Sequence, residues 1–253
     1  MDNLVLPDEP LAKVKELLAA CRARTRVLDG WGFGSRLATG KGLVALFAGE
    51  AGTDKTLTAE ILAGELGMSL HIVAIPKIVS KWVGETEQNI RSVFQVARAH
   101  HAILLFDEAD SLFAKRVAVE KAQDHFQNME VNLLLQEVER FEGIVLLTTN
   151  LEANMDKAFQ RRILFKIDFP SPGPDERARI WRTLIPREAP IEGSIDFGEL
   201  GFALELTGGQ IKNAVLRAAY SACAHRRGLT QEGLLESGRR EAQTAGKLVR
   251  MLR

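Results

Sequence analysis

Five short apolar runs punctuate the chain before residue 170: Leu43 to Phe47, Ser69 to Ala74, Ala102 to Phe106, Gly143 to Leu147 and Phe165 to Phe169. Short apolar runs of this kind suit strands of a parallel sheet, which are buried on both faces. Between them the apolar period lengthens to that of a helix. Thr56 to Leu66 follows the first run, and from Glu87 to Ala99 the residues Ile90, Val93, Phe94 and Ala97 share one face. Val131, Leu134, Leu135 and Val138 do the same before the fourth run. Alternation of strand and helix predicts an α/β fold, a parallel five-stranded sheet flanked by helices.

After Phe169 the pattern changes. Pro170, Pro172 and Pro174, with Gly173, break the chain. Beyond them only helical patterns occur, over Asp175 to Leu184, Phe197 to Leu204, Gly209 to His225 and a final stretch from Thr230. Ile211, Val215, Ala218 and Ala222 give the third of these one apolar face. Two domains are therefore expected: an α/β domain over residues 1–169, opening with a helical segment, and a small all-helical domain over 170–253. The stretch before Leu43 is too short to fold as a further domain.

Charge narrows the function classes. Lys and Arg number 33 and so do Asp and Glu, so no global field draws the chain to nucleic acid or anionic lipid. The basic clusters Arg22, Arg24 and Arg26, or Arg239 and Arg240, read as solvated helix faces or subunit contacts. Cys21 and Cys223 lie far apart without metal-type spacing, as expected of reduced residues in a cytoplasmic protein. The five histidines form no ligand pattern. No apolar run of 18 residues is present to span a membrane, and the N-terminus lacks an apolar signal core.

The first strand leads into GEAGTDKT and then a helix. Gly49, Gly52, Lys55 and Thr56 fit the phosphate-binding pattern G-x-x-x-x-G-K-S/T in its strand–loop–helix setting. Backbone N–H groups of such a loop, Gly49 through Glu50, Ala51, Gly52, Thr53 and Asp54 to Lys55, wrap phosphates, and Leu57 continues the helix whose positive end points at them. Lys55 supplies a point charge, and the Thr56 hydroxyl is placed to ligate Mg²⁺. Asp54 stands where the pattern has a second glycine adjoining the lysine. Its carboxylate is expected near the phosphates, where like charges about 4 Å apart repel by roughly 1 kcal/mol in water and about 4 kcal/mol near a protein surface.

The run AILLFDEAD delivers two acids at the C-terminal end of a buried strand, the edge where ligands bind in open α/β sheets. Asp107 is the expected second holder of Mg²⁺, and Glu108 the base that polarises an attacking water. GIVLLTTN ends likewise in Asn150, placed to orient that water. Arg161 and Arg162 precede the last strand and are suited to reach a neighbouring subunit's nucleotide, where an arginine supplied in trans stabilises transition-state charge. Trp82, between Lys81 and Val83, sits in a poor core context before a polar helix start; an aromatic on a loop suits contact with a partner.

Together these residues resemble the AAA family of P-loop ATPases, in particular the katanin and spastin branch and similar bacterial single-module members. The likeness runs from about Leu43 to about Cys223 and is strongest over VSKWVGETEQNIRSVFQVARAHHAILLFDEADSLFAKR. It implies that Lys55 and Thr56 are Walker A residues, Asp107 and Glu108 the Walker B pair, and Asn150 sensor 1. By the same resemblance Arg161 and Arg162 are paired arginine fingers. Lys81, Trp82 and Val83 match a pore loop that grips a protein substrate, with Lys115, Arg116 and His125 in a second one. Gly208 and Gly209 match the lid segment beside adenine and ribose, and Gly32, Phe33 and Gly34 a leading loop near the base. The resemblance further implies ATP and Mg²⁺ as cofactors and a homo-oligomeric ring, a hexamer. GWGFGSRLATGKGLVALF and KWVGETE are also similar to modules accompanying contractile injection systems.

The chain departs from the family at Asp54, and where the family often has prolines it has Glu50 and Ala51. Two readings follow. In one, an ATP-driven module remodels or threads a protein; in the other, a non-hydrolysing assembly factor keeps the ring surfaces without turnover. Asp54 favours the second, and Glu108, Arg161 and Arg162 favour the first. A DNA-loading ATPase shares the fold, but the balanced charge and the Lys-Trp-Val loop argue against it.

Overall fold

The computed structural model describes residues 4–73, 85–109, 132–150 and 160–246. The chain divides into two compact units. The first takes in Glu9–Gly49 and Lys55–Asp168; the second takes in Glu50–Asp54, the chain from Phe169 onward and the stretch before Glu9.

The first unit opens with α1 (Asp8–Thr25), a π-helical turn over Arg26–Gly30 and the short α2 (Phe33–Arg36). Then come β1 (Leu43–Gly49), α3 (Lys55–Leu66), β2 (Leu70–Val73), α4 (Glu85–Ala99), β3 (Ile103–Phe106), α5 (residues 132–140), β4 (Ile144–Thr149) and β5 (Phe165–Phe169). The strands form one parallel sheet, as the alternating pattern predicts, and their order is β2-β3-β4-β1-β5. Burial explains the sequence: every residue of β3 and β4 is buried, and so are six of the seven in β1. β2, at an edge, is buried only at Val73. β1 and β4 run to Gly49 and Thr149, past the apolar runs, because Phe47 pairs with Thr148 and Ala48 with Thr149. One face of the sheet packs on Ile90, Phe94 and Ala97 of α4 and on Leu134, Leu135 and Val138 of α5. Phe94 anchors this core, its ring centroid 5.9 Å from that of Phe106 and 5.4 Å from that of Phe141.

In the second unit α6 (Pro174–Leu184) starts where the proline-rich break ends. Proline at the first helical position and Asp175 and Glu176 in the first turn suit a helix N-terminus. α7 (Phe197–Ala203), α8 (Gly208–Ala224) and α9 (Gln231–Thr244) follow. Asp196 caps α7 by accepting the Glu199 N–H at 2.9 Å, and Thr230 caps α9 by accepting that of Gly233 at 3.1 Å. Trp181 is wholly buried among Leu200, Leu204, Ile211 and Leu234. Arg177, buried as well, donates to the Gly201 and Pro172 carbonyls, both at 2.7 Å, and so ties the break to α7. Among the described residues no helix is long and apolar enough to cross a membrane.

Candidate functional site

The order β3-β4-β1 sets the C-terminal ends of three motif-bearing strands side by side. Ala48 pairs with Thr149, so Gly49 and Asn150 come next along β1 and β4. Lys55, the first residue of α3, is buried, and its ammonium donates to the Gly49 carbonyl at 2.8 Å and to Asn150 Oδ1 at 2.9 Å. A buried ammonium needs such oxygens, since its desolvation is costly without them.

The acid pair is held by the neighbouring strand. Phe106 pairs with Leu147, so Asp107 emerges beside Thr148. The Thr148 hydroxyl donates to Asp107 Oδ1 at 2.5 Å and accepts the Glu108 N–H at 3.0 Å, while the Ala109 N–H donates to the Thr148 carbonyl at 2.8 Å. From the other side Thr56 donates to the Asp107 carboxylate at 3.3 Å. Glu108 is exposed and its φ of 54° lies in the left-handed region, uncommon for a glutamate and costing of order 1–3 kcal/mol. The Thr148 hydroxyl, by accepting the Glu108 N–H, holds the backbone in that conformation. A hydroxyl and a carboxylate, both hard oxygen donors, fit Mg²⁺, which takes one or two carboxylates and fills its shell with phosphates and water. Among the described residues no group of three His, Cys, Asp or Glu converges to form an all-protein cage.

The loop residues Glu50–Asp54 group with the second unit. The Glu50 carbonyl accepts the Thr53 hydroxyl at 2.8 Å, and the Glu50 carboxylate that of Ser171 at 2.7 Å. Gly52 has φ 79°, and a Cβ there would stand 2.6 Å from Thr207 Oγ1, so both its angle and its space require glycine. Its carbonyl accepts the Gly209 N–H at 3.1 Å. Thr207 and Gln210 form a reciprocal capping box on α8, with Thr207 N–H to Gln210 Oε1 at 2.9 Å. Asp54 takes φ 62°. Its carboxylate lies against the first turn of α8: a Cβ built on Gly208 would stand 2.2 Å from Oδ2. Burial pushes the carboxyl above the usual carboxylate range, opposed by the positive charge of Lys212. Ala51 is exposed, and Leu57 is an exposed apolar residue on α3.

The two arginines differ. Arg162 donates to Glu139 Oε2 on α5, at 2.9 Å through Nη2 and 3.3 Å through Nε, and this holds the Glu139 carboxyl below its ordinary range. Arg161 is exposed, and so is Leu164 beyond it. In the leading segment Gly32 takes φ 76° between two exposed aromatics, Trp31 and Phe33. Lys81, Trp82 and Val83, with Lys115, Arg116 and His125, lie outside the described residues.

Sequence reasoning passed over Thr148, Thr207 and Glu139. For the first a signal existed: two threonines close an otherwise apolar run, and buried hydroxyls need partners. For the second, Thr207 followed three residues later by Gln210 is a capping-box pattern. Glu139 carried no local signal, because its partner is distant in sequence.

The family model described as "ATPase family associated with various cellular activities (AAA)" matches residues 45–171. An uncharacterized AAA family ATPase of Sinorhizobium fredii is 32% identical over 208 residues, covering 79% of this chain and 62% of that protein. A cell division cycle protein 48 homolog of Archaeoglobus fulgidus is 32% identical over 180 residues, 69% of this chain and 24% of its own length. Fidgetin-like protein 1 of Drosophila melanogaster is 31% identical over 168 residues, 65% of this chain and 32% of its own. The chain thus matches less than two thirds of the length of each.

Proposed function

The chain belongs to the AAA family of ATPases, and from that premise we propose that it binds ATP with Mg²⁺, hydrolyses it to ADP and phosphate, and uses the cycle to remodel or thread a protein within a homo-oligomeric ring, a hexamer. The observation that carries this reading is the meeting of Thr56 with Asp107 at 3.3 Å, which joins the phosphate-loop helix to the strand-end acids. In it the nucleotide-binding domain spans residues 1–169 and the helical lid 170–253, with Gly208 and Gly209 beside the base and ribose.

The chemistry follows from the residues. Gly49 to Leu57 receive the phosphates, and Lys55 neutralises charge on the outermost of them. Thr56 and Asp107 hold Mg²⁺, which when bound offsets charge on the phosphate oxygens. Glu108 takes a proton from the attacking water, Asn150 orients that water, and the new P–O bond forms as the bond to ADP breaks. Arg161 and Arg162 serve a neighbour's nucleotide. The Glu139 contact supports a poised Arg162, and exposure supports an outward role for Arg161. The turn of the Asp54 carboxylate toward Gly208 supports turnover over the non-hydrolysing reading, because it reduces charge facing the phosphates. Free Cys21 and Cys223 support a cytoplasmic setting, and balanced charge speaks against nucleic acid as the partner.

The shared site has a direct test. Phosphate release per subunit, measured across a dilution series with mass measured in parallel, is expected to fall several-fold as the assembly dissociates. Constant specific activity in a strictly monomeric sample contradicts it. If Trp82 serves a pore loop and not the core, Trp82→Ala is expected to shift the melting temperature by less than about 2 °C. A drop several times larger makes Trp82 a packed residue.

A further inference from the structure

In the second unit the phosphate loop meets the first turn of α8 at three points. Gly52 fits under the Thr207 hydroxyl, its carbonyl takes the Gly209 N–H at 3.1 Å, and the Asp54 carboxylate covers Gly208. The third contact is close on both sides: a Cβ on Gly208 would stand 2.2 Å from Oδ2, 2.9 Å from Cγ and 3.0 Å from Oδ1. Residue 208 therefore has to be glycine while Asp54 stays where it is. The backbone at residue 54 supports the same placement. Its φ of 62° is a conformation aspartate tolerates better than most side chains. α8 runs 17 residues and presents its positive end at Gly208, which offsets part of the cost of placing a carboxylate there.

We propose that Asp54 is a latch: its carboxylate fastens the phosphate loop to the Thr207–Gly209 turn of α8, so that the loop and this helix start move together. The aspartate that breaks the glycine pattern thereby acquires a positioning role. A glycine at residue 54 has no group with which to hold α8, and the loop reshapes without it. In the latched chain, any reshaping of the loop by a bound anion has to carry Gly208 along or release Asp54 from it. The latch is a property of the nucleotide-free chain; only this last consequence rests on the ATP reading.

The test is amide hydrogen exchange of the full chain without nucleotide, following residues 207–211 with α9 as internal reference. Asp54→Asn keeps the shape of the side chain and removes its charge, and Gly208→Ala forces the carboxylate aside from the other partner. Both are expected to speed exchange at 207–211 by about three- to tenfold, the scale of a charge at a helix N-terminus, while α9 keeps its protection. Gly208→Ala is the sharper arm, because alanine strengthens a helix over glycine and on propensity alone slows exchange there. Unchanged or slower exchange at 207–211 in either variant overturns the latch. So does loss of protection spread evenly over α8 and α9, which marks general loosening of the unit. Since no nucleotide is present, failure of the ATPase reading leaves this result untouched.

Discussion

Glu108→Gln is expected to lower ATP turnover by about 10²- to 10⁴-fold, the range of a general base, while leaving ATP binding within a few-fold of the parent. The separation rests on how Glu108 is held. Its backbone N–H is bonded to the Thr148 hydroxyl, so glutamine keeps that clamp. The isosteric change also leaves the left-handed φ of 54° as it was. Asp107 keeps both hydroxyl partners, Thr56 and Thr148. The carboxylate that would accept the proton is lost. Turnover and binding measured on one preparation check this; full turnover in the variant removes Glu108 from the mechanism.

Lys55→Ala is expected to weaken ATP binding by about 30- to 100-fold, from roughly 2–3 kcal/mol of lost charge-assisted bonding. Lys55 is buried at the start of α3, and its ammonium donates to the Gly49 carbonyl and to Asn150 Oδ1 at the ends of β1 and β4. Its ammonium is thus already oriented, with little reorganisation left when an anionic ligand takes a share of it. The stability cost is smaller than the binding cost, because removing a buried charge also removes its desolvation penalty. Titration with a fluorescent ATP analogue reads the effect. An affinity equal to the parent's means that Lys55 serves only to join Gly49 to Asn150.

The three inner strands were legible because they are buried on both faces and so appear as short apolar runs. Leu43 and Ala102 mark such runs to within a residue or so of the strands, whereas edge strand β5 alternates buried and exposed positions from Phe165 on. The runs understated β1 and β4, since Thr148 and Thr149 are polar yet buried within the ladder. Lys55, Thr56, Asp107 and Asn150 were legible as strand-end chemistry, and the register brings them together. Three features were not legible. The pairing of Arg162 with Glu139 spans two elements, and nothing local marks it. The left-handed backbone of Glu108 follows from Thr148 on another strand. The direction of Asp54 depends on Gly208, 154 residues further on; the sequence shows a carboxylate replacing a glycine, whereas its target is set by tertiary structure.

Whether the bound ATP is cleaved is decided by a single-turnover experiment: assembled protein in excess over radiolabelled ATP with Mg²⁺, quenched over time and separated into ATP, ADP and phosphate. Bound ATP is expected to become ADP and phosphate in one phase, while Glu108→Gln holds the same ATP intact. Wild-type protein that binds ATP and returns it uncleaved over the whole course contradicts hydrolysis and leaves a non-hydrolysing assembly factor in its place.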